Sequence, residues 1–466
     1  MSDYASLPIA AVSTPPGKGG VAVIRISGEG ARQTAERVFF PKNKKALGEH
    51  PPRTQVYGDI VGKDGRVDDG MATYFAAPRS FTGEDTVEIC CHGGVLVTAA
   101  VLDAVLCAGA RMAEAGEFTR RAFLSGKLSL TEAEAIGDLL EAKSMSQVRL
   151  AAGAGRDRLT AAIEELRAET LELLSALFAR IDYPDEDLGP LPREQILARL
   201  SSIREKAAAL LATYRTGRAI GAGIRTVIVG KPNVGKSTLY NALLGADAAI
   251  VTDIPGTTRD LLTETISLGE MTLRVSDTAG VRGKTDDPIE AIGMERTRAA
   301  LGEAELVLAL FDASRPTDGA DEDILALLSG RKDEAIALFT KSDLPRDPAF
   351  DGARVEAALG RAIEIRAGED PAAARAALEQ ALRPRYIDGT IRVGEDAIIS
   401  SVRQHAALSR AVDGRAAAEE AFASGVAEDA AASELEAAVG ALSELGGKAV
   451  SDEIVAGIFS KFCVGK

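Results

Sequence analysis

Residues 230–237 carry the clearest chemistry in the sequence. They read GKPNVGKS, follow the apolar run 227–229, and precede the helical pattern TLYNALL. A glycine-rich loop between a strand and a helix wraps its backbone N–H groups around phosphate oxygens. Lys236 would then reach the terminal phosphates, and Ser237 could ligate Mg²⁺. The segment therefore predicts a P-loop, the phosphate-binding element of many nucleotide-binding proteins.

A second motif, DTAG at residues 277–280, follows the β-type run 273–276. Asp277 could hold Mg²⁺ through a water molecule, and the N–H group of Gly280 could contact the γ-phosphate. The tetrapeptide resembles the switch motif of translation-factor-like GTPases. Its place after the P-loop supports the prediction of a nucleoside triphosphate site.

A third motif, TKSD at residues 340–343, resembles the guanine-reading NKxD motif with threonine in place of asparagine. Asp343 would accept hydrogen bonds from N1–H and the exocyclic amine of guanine, a pair that adenine cannot offer. We therefore expect GTP rather than ATP. The threonine weakens one contact but leaves this discriminator intact. The Ser-Ala element that usually follows is degenerate, and only Ala367 matches within residues 365–367.

These motifs need a sheet whose strand ends meet at one edge. From residue 224 to about residue 382, apolar β-type runs alternate with helical patterns, which is typical of a parallel sheet covered on both faces. Sequence rich in Ala, Leu and Glu flanks this region. We predict a multidomain α/β fold with an α+β domain at 1–125, an α-helical bundle divided between 126–217 and 385–466, and an inserted P-loop domain at 218–384.

Composition limits the possible partners. The formal net charge is −15, so a surface that binds nucleic acid indiscriminately is not expected. Residues 18–63 carry nine basic and four acidic residues, whereas 413–453 carry ten acidic and two basic ones, so the N-terminal region is the better RNA candidate.

The four cysteines form no CxxC pair, which favours reduced thiols. Neither a signal-type start nor a membrane-spanning apolar run is found, and we expect a cytoplasmic protein.

The sequence also resembles a known family. Residues 251–260, which read VTDIPGTTRD, and Asn233 inside the P-loop are similar to those of the potassium-activated tRNA-modification GTPases called MnmE or TrmE. Further motifs resemble that family in its own order. They are TPPG at 14–17, RISG at 25–28, FTGED at 81–85, HGG at 92–94, GEF at 116–118 and the terminal FCVGK at 462–466.

The resemblance implies a folate-binding and dimer-forming N-terminal domain, a discontinuous helical domain, and a Ras-like G domain inserted into it. It also implies a potassium-activated GTPase that acts as a homodimer with the flavoprotein MnmG or GidA. Together they would install an aminomethyl-type group, carboxymethylaminomethyl, at carbon 5 of the tRNA wobble uridine. The carbon would come from a tetrahydrofolate derivative, 5-formyl or 5,10-methylene.

A monovalent cation can replace an arginine finger between the β- and γ-phosphates. By resemblance, the K⁺ ligands are Asn233, Thr252, Ile254 and Thr257, and the Mg²⁺ ligands are Ser237 and Thr258. A turn-forming role is the alternative for Asn233. The GTP contacts implied in the same way are Asn233, Val234, Gly235, Lys236, Ser237, Thr238, Thr252, Asp253, Ile254, Pro255, Gly256, Thr257, Thr258, Asp277, Thr278, Ala279, Gly280, Thr340, Lys341 and Asp343.

Glu290, which precedes Ala291, Ile292 and Gly293, matches the residue that the family uses to orient the attacking water. The loop after Gly280 is one residue longer than the family pattern, so Glu295 is the fallback. A solvated charge on a helix is the alternative for either glutamate.

The family's folate positions correspond to Arg25, Glu88, Lys127 and Lys466. A carboxylate suits the adjacent N–H donors of a pterin ring, and basic side chains suit the carboxylates of the glutamate tail. Cys463 is either a thiol near the one-carbon chemistry or a small apolar residue packed at the chain end.

Two other functions compete with this interpretation. The first is a ribosome-assembly or RNA-chaperone GTPase, a switch that modifies nothing. Such proteins usually carry a compact basic RNA-binding domain, whereas the C-terminal region here is acidic. The second is a folate-dependent aminomethyltransferase with a regulatory GTPase, and folate binding alone does not separate it from the first interpretation.

Overall fold

The computed structural model describes residues 7–154, 158–182, 192–245, 263–276, 300–360, 362–424, 428–460 and 462–465. The chain forms two compact units, and each is built from more than one stretch of sequence. The first unit comprises Met1–Leu140, Ala154–Pro190 and Ala417–Lys466, and the second comprises Glu141–Gly153 and Leu191–Ala416.

Strands and helices are numbered along the described residues. The strands are β1 Ile9–Val12, β2 Val21–Ser27, β3 Phe39–Pro41, β4 Gln55–Gly62, β5 Gly65–Phe75, β6 Thr86–His92, β7 Arg111–Met112, β8 Ile224–Gly230, β9 Thr263–Leu268, β10 Met271–Ser276, β11 Leu306–Asp312, β12 Ala335–Thr340 and β13 Ile363–Glu364. The helices are α1 Ala31–Glu36, α2 Val95–Cys107, α3 Glu117–Leu124, α4 Leu130–Glu141, α5 Met145–Ala154, α6 Arg158–Asp182, α7 Arg193–Ala212, α8 Tyr214–Ile220, α9 Lys236–Leu244, α10 Gly319–Leu327, α11 Gly352–Leu359, α12 Pro371–Tyr386, α13 Val402–Ser424, α14 Glu428–Gly446 and α15 Asp452–Phe459.

The first unit contains a seven-stranded sheet in the order β3-β4-β5-β6-β2-β1-β7. All neighbours are antiparallel except β1 and β7. Strand β2 alternates along VAVIRIS, so Ala22, Ile24 and Ile26 enter the core that α2 covers. Arg25 therefore lies on the opposite face, where its cross-strand partners are Ala11 on β1 and Glu88 on β6.

Two helices that are far apart in sequence pack together in the first unit. Helix α6 buries apolar side chains three or four residues apart, which form a stripe along one side. This stripe includes Leu159, Ile163 and Leu166, and α14 packs along the same helix. Just beyond α14, the Lys448 ammonium lies 2.6 Å from a Glu164 carboxylate oxygen. Residues before and after Leu191–Ala416, the longer segment of the second unit, thus share one helical layer.

The second unit contains a six-stranded sheet in the order β13-β12-β11-β8-β10-β9. Four neighbouring pairs are parallel, and β9 runs antiparallel to β10 at one edge. Every residue of β11 and β12 is buried, as expected for strands covered on both faces. The parallel strands β8, β10, β11 and β12 all end at the same edge, where the sequence places its nucleotide motifs.

The second unit extends beyond the α/β region on both sides. Leu150 of α5 packs into the same core as Ile220 of α8 and Leu273 of β10. The Gln147 side chain donates a hydrogen bond to the Gly221 carbonyl at 2.9 Å. Residues predicted to belong to the helical bundle thus contribute to the core of the α/β unit. Within the described ranges, no helix is both long and apolar enough to cross a membrane.

Candidate functional site

The loop between β8 and α9 has a backbone that favours glycine at its two ends. Gly230 has φ 158° and Gly235 has φ 104°. A Cβ atom on Gly230 would lie 2.8 Å from Val234 Cγ1 and 3.0 Å from the Leu310 carbonyl oxygen, so a side chain does not fit. The loop turns directly into α9, whose first N–H groups have no carbonyl partners within the helix. Such an arrangement binds anions, and phosphate in particular.

Asn233 stands at the tip of this loop with φ 60°, a left-handed conformation that asparagine tolerates better than most residues. This backbone fits the turn-forming alternative for Asn233. Its side chain is exposed, so an oxygen ligand for a cation remains compatible with the same position. Ser237 lies half-buried in the first turn of α9, and Thr238 beside it is exposed.

Lys236 directs its ammonium back into the loop. The nitrogen donates hydrogen bonds to the carbonyl oxygens of Gly230 and Lys231, each at 2.7 Å. Burial lowers the pKa of Lys236 below its ordinary value because the charged form is partly removed from water. An anion bound by the loop amides would offset this cost. The ammonium thus lies inside the loop between β8 and α9.

Thr340, the residue that replaces asparagine in the base-reading motif, contacts the phosphate loop. Its buried hydroxyl lies 2.7 Å from the Val234 carbonyl and 3.2 Å from the Phe311 carbonyl. The end of β12 is thereby fixed to the centre of the loop between β8 and α9. Asp343 lies exposed in the turn that follows Thr340, where its carboxylate is accessible to a base.

Lys341 is held by a buried carboxylate. Its ammonium lies 2.7 Å from Asp312 Oδ2 at the end of β11, and the Asp312 side chain is 2% exposed. Burial alone would raise the pKa of Asp312, but hydrogen bonds from Lys341 and Ser314 outweigh burial and hold the pKa below its ordinary value. Lys341 has φ 56°, so this ion pair stabilises a strained backbone conformation two residues before Asp343.

The degenerate element near Ala367 reaches the same sheet edge. The Ile365 N–H donates to the Phe339 carbonyl at 2.9 Å, which aligns this segment with β12. Ala367 is half-buried, and a Cβ atom on Gly368 would lie 3.7 Å from Thr238 Cγ2. The segment therefore lies beside α9, and its contact with the base stays a prediction.

Several predicted site residues lie outside the described residues. They are Thr252, Asp253, Ile254, Pro255, Gly256, Thr257, Thr258, Asp277, Thr278, Ala279, Gly280, Glu290, the fallback Glu295, and Lys466. Their roles remain predictions.

In the first unit, Arg25 and Glu88 form an ion pair across β2 and β6. The Arg25 Nε and Nη2 atoms lie 2.9 Å and 2.8 Å from the same oxygen, Glu88 Oε1. The guanidinium carbon lies 5.2 Å from the ring centre of Phe81 and 5.7 Å from that of Phe118. Two aromatic rings and a carboxylate thus fix Arg25, whose side chain is 15% exposed.

The loop of residues 81–85 connects this pair to Lys127. The Thr82 hydroxyl lies 2.7 Å from the Ser27 hydroxyl, and the Thr82 carbonyl accepts a hydrogen bond from Ser125 at 2.6 Å. A Cβ atom on Gly83 would lie 3.0 Å from Lys127 Cγ. Lys127 is exposed. The loop 81–85 therefore contacts both β2, which carries Arg25, and the turn that carries Lys127.

The end of the chain packs against β1 and the turn before α3. The Ser13 hydroxyl donates to the Gly465 carbonyl at 3.1 Å, and Val464 forms an antiparallel bridge with Ala115. These contacts place Gly465, the last described residue, next to β1, which pairs with the strand β2 that carries Arg25. Cys463 is exposed, which disfavours its interpretation as a packed apolar residue.

The sequence analysis did not predict a partly buried charge network that is linked to β2. The Glu117 carboxylate forms ion pairs with Arg111 and Arg121. The Arg121 Nη1 atom also lies 3.1 Å from Glu84 Oε2. Burial would raise the pKa of Glu117, but the hydrogen bond from Arg111 and further partners hold it below its ordinary value. Ser27 donates to Glu84 at 3.1 Å, which links the network to β2. The FTGED and GEF motifs contain both acids of the network, Glu84 and Glu117, and they were the available signal.

A mostly parallel sheet and a glycine-bounded loop that leads from β8 into α9 define a P-loop nucleotide-binding protein. The family model described as the GTP-binding protein TrmE N-terminus matches residues 8–127, and the family model of the MnmE helical domain matches residues 130–463.

Curated relatives match along nearly the whole chain. The tRNA modification GTPase MnmE of Heliobacterium modesticaldum is 41% identical over 98% of this chain and 99% of its own length. That of Carboxydothermus hydrogenoformans is 39% identical with the same coverage. The chain belongs to the MnmE family of tRNA modification GTPases. A crystal structure of Era with MgGDPNP and 16S ribosomal RNA is 26% identical and covers 41% of this chain and 65% of its own, but its TM-score of 0.26 supports no conclusion.

Proposed function

We propose that this chain is a potassium-activated GTPase that works with a flavoprotein of the MnmG or GidA type. The pair installs a carboxymethylaminomethyl-type group at carbon 5 of the tRNA wobble uridine, with a tetrahydrofolate derivative as carbon donor. Family membership carries the general part, GTP hydrolysis in tRNA modification. The observation that carries the site is the phosphate loop, which Thr340 joins to the base-reading strand end.

The residues around the phosphate loop divide the work of hydrolysis. The loop amides and Lys236 hold the phosphates, and Asp343 selects guanine. The Ser237 hydroxyl oxygen suits Mg²⁺, a hard cation that prefers oxygen ligands and that would neutralise phosphate charge when bound. The exposed Asn233 amide offers an oxygen suited to K⁺. Glu290 orients the attacking water in this proposal.

The folate proposal rests on the Arg25–Glu88 pair. Both arginine nitrogens meet Glu88 Oε1, so Oε2 keeps acceptor capacity for the N–H donors of a pterin ring. Lys127 is exposed near the same loop and would meet a carboxylate of the glutamate tail. Lys466 follows Gly465, whose carbonyl is fixed to Ser13, so the chain end would complete the pocket.

The proposed domain arrangement is a folate-binding, dimer-forming domain at 1–125, a helical domain at 126–217 and 385–466, and a Ras-like G domain at 218–384 between its two parts. The joint packing of α6 and α14 supports a helical domain interrupted in sequence. A cytoplasmic location stays a prediction from the sequence.

The ribosome-assembly alternative is disfavoured because the family match includes the acidic C-terminal helices. The decisive test is mass spectrometry of wobble uridines in tRNA from cells that lack this protein. We expect loss of the carboxymethylaminomethyl group and its return when the wild-type gene is supplied. Unchanged wobble nucleosides in the deleted strain would contradict the proposal. Loss restored by a variant without GTPase activity would favour the aminomethyltransferase with a regulatory GTPase.

A further inference from the structure

Lys231 follows Gly230 in the phosphate loop, and its side chain has no role in the phosphate chemistry described above. Its side chain is 7% exposed, although lysine is rarely buried without a charged partner. The ammonium lies 2.6 Å from Asp321 Oδ2 and 2.9 Å from Asp318 Oδ2. The Asp321 side chain is itself 3% exposed. A buried ion pair therefore joins the phosphate loop to the beginning of α10.

Both carboxylates are fixed by the start of that helix. Asp318 is the N-cap of α10, and its side chain accepts hydrogen bonds from the N–H groups of Ala320 and Asp321. The Asp318 N–H in turn donates to Asp321 Oδ2 at 3.1 Å. Hydrogen bonds within the start of α10 thus hold both carboxylates in addition to their contacts with Lys231.

The peptide unit of Lys231 is equally constrained on the loop side. Its carbonyl accepts a hydrogen bond from the Lys236 ammonium at 2.7 Å and a longer one from the Val234 N–H at 3.4 Å. The Val234 carbonyl is held by Thr340. The loop is therefore attached on one side to α10 through Lys231 and on the other side to β12 through Thr340.

We infer that Lys231 is a positioning residue that holds the phosphate loop in its binding conformation through Asp321 and Asp318, and so sets the affinity for nucleotide phosphates without touching them. Removing the ammonium leaves the Asp321 charge buried without its cation, and that charge is expensive until the loop or α10 moves towards water. Movement of the loop misaligns the amides that meet the phosphates. The inference rests on the proposed nucleotide site.

The test compares GDP with guanosine, which shares the base and ribose but lacks phosphates. Calorimetry on the full chain measures both affinities for wild type, Lys231→Met, Lys231→Arg and the control Lys332→Met, an exposed lysine near the start of β12. For Lys231→Met we expect GDP affinity to fall by about tenfold or more and guanosine affinity to stay within about twofold. Lys231→Arg should recover most of the GDP affinity, and Lys332→Met should match wild type.

Equal losses for GDP and guanosine, or unchanged GDP affinity, would overturn the inference. If Lys231→Met does not fold, Asp318→Asn gives the same test, because asparagine still caps a helix but removes one carboxylate. We then expect a loss of about threefold for GDP only, and an unchanged GDP affinity would again overturn the inference. A wild-type chain that binds no GDP would instead overturn the proposed function.

Discussion

The contact between Thr340 and the phosphate loop allows a quantitative prediction. Thr340→Val keeps the β-branched shape of a buried strand residue and removes only the hydroxyl that lies 2.7 Å from the Val234 carbonyl. Losing such a hydrogen bond and leaving a buried acceptor unpaired costs about 1–2 kcal/mol. If the whole cost falls on the binding conformation of the loop, GDP affinity drops by about five- to thirtyfold. Any part of this cost that does not weaken GDP binding lowers the free energy of unfolding of the variant instead.

The assay pairs GDP calorimetry with urea unfolding of the same preparations. Thr340→Ser serves as the control, because it keeps the hydroxyl and should retain most of the GDP affinity. The reasoning is refuted if Thr340→Val changes GDP affinity by less than about twofold and also leaves the free energy of unfolding unchanged. It is refuted equally if Thr340→Ser loses as much GDP affinity as Thr340→Val.

Three further predictions follow from the sites. GDP should displace a fluorescent GDP analogue far better than ADP does, and Asp343→Asn should shift preference towards xanthine nucleotides; equal displacement by ADP and GDP would remove the guanine assignment. GTP turnover should require KCl rather than NaCl, and Asn233→Ala should lose this stimulation but keep GDP binding. Glu290→Ala should hydrolyse GTP slowly. Normal turnover in Glu290→Ala with slow turnover in Glu295→Ala would show that the register assigned to the loop after Gly280 is wrong. Glu88→Ala should weaken tetrahydrofolate binding measured by calorimetry while leaving GDP affinity unchanged, and intact folate affinity would contradict the pocket.

The phosphate loop could be predicted because its signal is local. A β-type run, a glycine-rich loop and a helical pattern occupy consecutive positions, and the structure places β8, the loop and α9 in that order. The parallel sheet was predicted from alternating patterns, but the antiparallel edge strand β9 was not. Periodicity shows that a segment is extended, whereas direction depends on its partner.

Composition, periodicity and spacing did not predict which residues far apart in the chain contact each other in the fold. Arg25 and Glu88 are brought together by the register of β2 against β6, and only the family resemblance singled them out. Lys231 and Asp321 are 90 residues apart, and charge alone gave no reason to pair them. The sequence also did not show that α5, which carries Leu150, packs into the core of the second unit, because an apolar helix face can pack into either unit's core. These features depend on which surfaces meet in the folded chain.

The central claim is that nucleotide chemistry at the phosphate loop serves tRNA modification. The most direct test supplies Lys236→Ala as the only copy in cells and measures wobble uridines by mass spectrometry, with protein abundance matched to wild type. The account predicts that the carboxymethylaminomethyl group is lost, as in the deleted strain. Wild-type levels of that group, with GTP hydrolysis by the purified variant abolished, would contradict it.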